Sequence, residues 1–110
     1  MREYLLSASA ENDLDEIAAY TLDRWGPDQM LRYGAALEAH FRALVSGALK
    51  PLRVFDTWPE LQVSRCQHHH VFSLQRSCAP LVVLAVFHES MDLPARLRER
   101  LDVVEEEFLN

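Results

Sequence analysis

Leu81-Val82-Val83-Leu84-Ala85-Val86-Phe87-His88-Glu89-Ser90-Met91-Asp92 is the stretch around which the chain is organised. Residues 81–87 are all apolar, several of them β-branched or aromatic, and show no helical alternation. Cys78-Ala79-Pro80 breaks the chain before them, and Ser90 to Asp92 reads as an exit turn. Such a run fits a strand buried on both faces, the middle of a sheet. Odd positions (Leu81, Val83, Ala85, Phe87) and even ones (Val82, Leu84, Val86) are equally apolar, so each face needs a cover. His88-Glu89 places polar groups where the strand emerges.

The chain has 110 residues, enough for one domain with a real core and too few for two. Hydrophobic residues at 49% and charged ones at 25% are the balance of a soluble globular protein. No apolar run approaches the ~20 residues that span a bilayer, so no membrane association is expected. Met1-Arg2-Glu3-Tyr4-Leu5-Leu6 enters a strand-like pattern directly and lacks the h-region of a signal peptide, which makes a cytoplasmic location the expectation.

The net charge of −6 is unevenly placed. Asp102, Glu105, Glu106 and Glu107 follow the last base, Arg100, leaving 13 acids against 11 bases in residues 1–101. A nearly neutral body lacks the Lys and Arg excess that neutralises phosphates, so direct, specific nucleic-acid binding is not expected. Cys66 and Cys78 have no metal or redox spacing and read as small buried thiols.

Upstream of the central run, Tyr4-Leu5-Leu6-Ser7 reads as a short first strand. Ser7 or Ser9 then caps a helix whose apolar stripe is Ala10, Leu14, Ile17, Ala18, Thr21 and Trp25. Gly26-Pro27 ends that helix and starts a second, from about Pro27 to Ser46, with Met30, Tyr33, Gly34, Leu37, Phe41 and Leu44 on one face. So short a link makes the two an antiparallel hairpin. Residues 48–60 read as a connection pinned to the domain by Phe55 and Trp58.

From Leu61 the period becomes two, with a turn at Gln67-His68, a strand around His70 to Leu74, and a further turn into Leu81. These three strands form an antiparallel meander. Leu93 to Leu101 continues into residues 102–109 as a last helix, with Pro94 near its start. The predicted fold is α+β, in the order β-α-α-β-β-β-α, with a helical hairpin packed on a small, mainly antiparallel sheet.

This order, with these words in it, resembles the RelE/ParE superfamily of bacterial toxins, and the ParE branch in particular. The residues that carry the resemblance are Tyr4-Leu5-Leu6-Ser7, Ala10, Asp13 to Ile17, Tyr20, Trp25-Gly26, Tyr33, Leu37, Pro59-Glu60-Leu61, His69 to Phe72, and Val86 to Asp92. It covers the chain to about Leu101, so residues 1–101 read as a toxin-like domain and 102–110 as an acidic C-terminal helix extension or tail. The resemblance implies the toxin of a type II toxin–antitoxin pair, held in a hetero-oligomer by a ParD-like antitoxin. ParE-like members poison DNA gyrase, and RelE-like members cut messenger RNA on the ribosome.

The residues bear on that choice. Metal-free RNA cleavage needs a base, an acid and cations for the phosphate. All three tyrosines (Tyr4, Tyr20, Tyr33) lie in the first third, Lys50 is the sole lysine, and Glu89 follows His88. Arg65, Arg76 and His88 are the remaining nuclease candidates, and the ParE reading is preferred to them. The alternatives are a ribosome-dependent mRNA endoribonuclease of RelE type and a degenerate toxin that keeps only antitoxin binding.

The preferred reading carries no catalytic residue, cofactor or metal. Its target-contact candidates are His88, Glu89, Arg96 and Arg100, at the junction of the last strand and last helix. Its antitoxin-binding candidates are Leu22, Leu31, Ala35 and Val45, apolar residues on the outer side of the hairpin. His68-His69-His70 could place at most His68 and His70 on one ion, because strand neighbours point to opposite faces. A solvated or hydrogen-bonded cluster at a hairpin edge is the plainer reading.

Overall fold

The computed structural model describes residues 4–104. Its elements are β1 (Tyr4–Leu6), α1 (Ala8–Trp25), α2 (Pro27–Ser46), β2 (Leu52–Phe55), β3 (Trp58–Cys66), β4 (His69–Leu74), β5 (Leu81–His88) and α3 (Leu93–Val104). The expected extension of the last helix over residues 105–109 lies outside the described residues. So does most of the acidic tail, while α3 itself runs unbroken past Leu101.

The five strands form one sheet in the order β1-β5-β4-β3-β2. β5 is interior, as its apolar run requires, parallel to β1 and antiparallel to β4. α1 and α2 cover one face, where Ala10, Tyr33, Leu37, Phe41 and Leu44 meet Val71, Leu81, Val83 and Val86. α3 covers the other face through Leu97, with Leu93 and Leu101, against Phe72, Ala85 and Phe87.

Strict odd-and-even alternation along β5 fails at one point. The register with β4 steps from Phe72↔Ala85 to Ser73↔Val83, so Leu84 is an extra residue, a β-bulge. It moves the facing pattern by one: Val83 and Val86 join the hairpin-side core, and Leu84 and Ala85 join clusters away from it.

The connection expected over residues 48–60 contains a strand instead. Phe55 pairs with Trp58, and Leu52 and Arg53 pair with Val63 and Gln62, making β2–β3 a tight hairpin with β2 on the edge. Pro51 and Pro59 disguise it, since proline argues against a central strand but is tolerated at the start or edge of one. Of the two aromatics expected to pin the segment, Trp58 packs with Val54 against Leu61, Leu74, Val82 and Leu84. Phe55 remains 47% exposed, so it does not share that role.

Local chemistry explains the helix ends. Ser7 is extended (φ −65°, ψ 159°), and its Oγ accepts the Ala10 N–H at 3.0 Å. Its own N–H donates to Val83 O at 3.1 Å and its hydroxyl to Leu84 O at 3.3 Å. One residue therefore ends β1, caps α1 and ties both to the central strand. Gly26 takes φ 94°, which a residue with a side chain rarely adopts, to close α1 and open α2 with Pro27 in its first turn.

Candidate functional site

Three places on the surface concentrate chemistry. The first is an apolar groove of about 540 Å³ between α1, α2 and β1. Leu14, Ile17 and Ala18 form one wall, Met30, Leu31, Gly34 and Ala35 the other, and Tyr4, Leu6, Leu37 and Phe41 also line it. Its polar groups are largely occupied. The Thr21 hydroxyl donates to Ile17 O at 2.7 Å, and the Tyr33 hydroxyl donates to Cys66 O at 3.3 Å. Glu38 is the one charged side chain among the described residues of the lining.

Of the residues singled out from sequence, Leu31 and Ala35 line this groove. Leu31 is 66% exposed, a large apolar side chain left facing water. Leu22 is also exposed but lies outside the lining, and Val45 is not free at all, being half-buried against the hairpin-side core. The stripe of α1 misled here: Leu14 and Ile17 are only half-buried, because the helices do not close fully over the short β1. A helical stripe shows which residues face inward and cannot show whether the space they face is filled.

The second place is a polar cleft of about 410 Å³ between α1 and α3, floored by Phe87 and Met91. β1 ends at Leu6, so among the described residues β5 has no strand on that side beyond Val83, though β4 continues along the other. Side chains take over. Asp13 Oδ2 accepts the Val86 N–H at 3.0 Å, and Arg100 donates to Leu84 O at 3.0 Å. The two side chains also pair with each other in two bonds, 2.7 and 2.9 Å long, with the Arg100 guanidinium 4.9 Å from the centre of the Phe87 ring. Arg100 was read from sequence as a surface contact and proves instead to be a largely buried clamp, with 17% of its side chain exposed. Arg96 is exposed on the rim of the same cleft.

The third place is the end of the sheet, where the β3–β4 turn meets the end of β5. Glu89 binds both Arg65 and His68, the latter at 2.9 Å. The His68 bond, followed by Arg65, holds the Glu89 carboxyl below the usual carboxylate range. His88 Nδ1 accepts the Ser90 N–H at 3.1 Å, and its ring meets His69 edge-on, 5.1 Å between centres. His69 is buried, and its Nδ1 is hydrogen-bonded to the Tyr33 hydroxyl. Because that hydroxyl gives its proton to Cys66 O, a neutral His69 donating through Nδ1 satisfies both groups.

Burial first, and then the nearby Cys66 thiol, pushes the Tyr33 hydroxyl up to about 12. Burial, followed by the neighbouring His88 and His68, pushes His69 down to about 4. Tyr33 therefore keeps its proton at neutral pH and His69 stays uncharged, which suits a structural pair better than an acid and a base poised near 7. Burial also raises the Cys66 thiol; Cys78, expected to be buried, is exposed. Among the described residues no group of three or more His, Cys, Asp or Glu side chains could hold a metal ion, and His68 is engaged with Glu89 instead of sharing one with His70.

The structure thus divides the four expected contact residues. His88 and Glu89 belong to the sheet-end cluster, Arg96 to the cleft rim and Arg100 to the clamp. An acid-sensitive stability follows from His69. Its pKa in the fold is depressed, so the unfolded chain takes up a proton near the ordinary value of about 6.5 and the folded chain only near 4. Stability is therefore expected to fall between those pH values, by about 3 kcal/mol in full. Urea melts from pH 7 to pH 4 check this: His69→Gln should show a shallower slope than wild type, and an equal slope would remove His69 as the cause. His40, lowered by burial, and at the acid end Glu89, lowered by its His68 bond, leave a residual slope in the same direction.

A family model described as the ParE toxin of type II toxin–antitoxin system, parDE, matches residues 4–93. A curated protein from Escherichia coli named Toxin ParE is 43% identical over 101 residues, covering 92% of this chain and 98% of its own length. The match takes in the groove, the Asp13 side of the clamp and the sheet-end cluster.

Proposed function

The chain belongs to the ParE toxin family of type II toxin–antitoxin systems, and from that membership we propose that it inhibits DNA gyrase by protein–protein contact and is silenced by a ParD-like antitoxin. The observation that carries the reading is what happens to the basic side chains Arg65, His68 and Arg100. Arg65 and His68 are held by Glu89, and Arg100 by Asp13. A nuclease of the RelE kind needs such groups turned toward a phosphate. Here a carboxylate already occupies them and would repel the substrate.

The groove supports the antitoxin half of the proposal. An amphipathic segment that folds on binding would cover its apolar walls, with Leu31 and Ala35 as contacts. For the target, His88, Glu89 and Arg96 remain the candidate contacts, with Arg100 holding α3 in place behind them. No helix among the described residues is long and apolar enough to cross a membrane.

The test sets purified protein in a gyrase supercoiling and cleavage assay beside a ribosome-programmed mRNA cleavage assay. Loss of supercoiling with trapped, cut DNA is the expected result. Arg96→Glu should weaken inhibition about tenfold, while an exposed change of this kind usually alters stability by under ~0.5 kcal/mol. Specific mRNA cuts with unaffected gyrase would replace this reading with the nuclease. Silence in both assays would mark a toxin that keeps antitoxin binding alone.

A further inference from the structure

Gly34 is unexplained by the fold that contains it. It lies within α2, where glycine is less favourable than alanine because it has more backbone freedom to lose. Two reasons usually keep a glycine in such a place, and neither applies. The positive-φ glycines are Gly26 and Gly47, so no left-handed conformation requires it. A Cβ built on Gly34 meets nothing within 4 Å, so no neighbour among the described residues requires the space.

The space opens into the apolar groove. Leu31 stands three residues before Gly34 and Glu38 four residues after, and all three line it, with Ala35 beside them. Around Gly34 the walls are helices, whose peptide groups are bonded within themselves, and the Thr21 and Tyr33 hydroxyls are engaged elsewhere. Away from β1, an extended occupant would bury peptide groups without partners, whereas a helix brings its own hydrogen bonds. Among the described residues Glu38 is the one charge in the lining, and its pairing with Arg42 is between side chains 55% and 71% exposed, a contact of little strength. Its carboxylate is open to a second cation.

We propose that Gly34 is the point of closest approach for a helix of the antitoxin, which seats a bulky apolar side chain on it and sets a Lys or Arg against Glu38 one turn along. This rests on the reading of the chain as an antitoxin-bound toxin. It makes Gly34 and Glu38 the residues that decide which antitoxin fits: a helix lacking the bulky residue leaves a void, and one with an acid at the second position meets Glu38 with like charge.

The experiment measures the affinity of the full chain for the whole antitoxin encoded beside its gene, together with the melting temperature of the free chain. Gly34→Ala should raise that temperature by about 4 °C, as alanine does in a helix interior, and yet weaken the complex about tenfold. The opposite signs separate a binding role from a structural one. Gly34→Leu should weaken binding about a hundredfold with the helical circular-dichroism signal retained. Glu38→Lys should cost about tenfold and reduce the dependence of affinity on salt. Wild-type affinity in Gly34→Leu and Glu38→Lys would overturn the assignment while leaving the antitoxin reading intact. A wild-type chain that fails to bind this antitoxin would end both.

Discussion

Val83→Asp is expected to leave no folded protein at 25 °C. Val83 is fully buried, in a strand bonded on both sides, and packs in the core beneath the helical hairpin. A carboxylate there would find at most the unpartnered hydroxyl of Ser73, opposite Val83 on β4, and its core cluster holds no cation; an unpaired buried charge costs several kcal/mol. Against a total stability of about 5–15 kcal/mol, expected to lie toward the low end for a domain of this size, that is decisive. The comparison that isolates charge from shape is Val83→Thr, which keeps the volume and adds a hydroxyl, for a cost of about 1–3 kcal/mol. Circular dichroism and urea melts of both variants give the answer. A Val83→Asp protein with a wild-type melting curve would mean that β5 is not the interior strand.

The second large effect belongs to Arg100. Removing its guanidinium strands Asp13 beside β5 and takes a donor from Leu84 O, so Arg100→Leu is expected to cost about 3–5 kcal/mol. Arg100→Lys should recover only part of this, because an ammonium cannot reproduce the paired bonds to both Asp13 oxygens. The double variant Asp13→Leu/Arg100→Leu should be more stable than the sum of the two single changes, since it leaves no lone charge behind. A urea-denaturation cycle reads the coupling. If Arg100→Leu costs less than about 0.5 kcal/mol, the pair is an ordinary surface contact, as the sequence alone would have it.

That contrast marks where sequence reading reaches its limit. Leu81 to Phe87 declares a doubly buried strand because both parities are apolar, and Gly26-Pro27 declares a hairpin because each residue has one conformational use there. Those signals are local. Arg100 lies in a run of alternating arginines that looks like a solvated face, and its partner Asp13 sits 87 residues away among acids that suit any helix start. No spacing links them. β2 was hidden for another reason: Pro51 just before it and Pro59 at the start of β3 read locally as chain breaks, although proline is tolerated at the beginning of a strand. The groove was partly visible as surplus apolar residues, Leu31 and Ala35 among them. Leu22 and Val45 have the same chemistry, and only packing sends one to solvent and the other half-buried against the core. The bulge at Leu84 left no mark in the sequence, because every residue around it is apolar.

The pairing of β1 with β5 joins nearly the first described residues to strand residues beyond position 80. The interior strand β5 is also the last of the described strands to be synthesised. Until it arrives, β1 has no neighbour, α1 lacks the bonds from Ser7 and Asp13 to the central strand, and both sheet faces are missing their main strip of core. Closing so long a loop is slow relative to forming local hairpins. A ribosome making this chain thus carries a helical hairpin and, later, a β-meander that cannot yet act as a unit. The surface proposed to meet the target comes into being only once β5 has been made, so an antitoxin already at hand finds a folded partner from that point and not before.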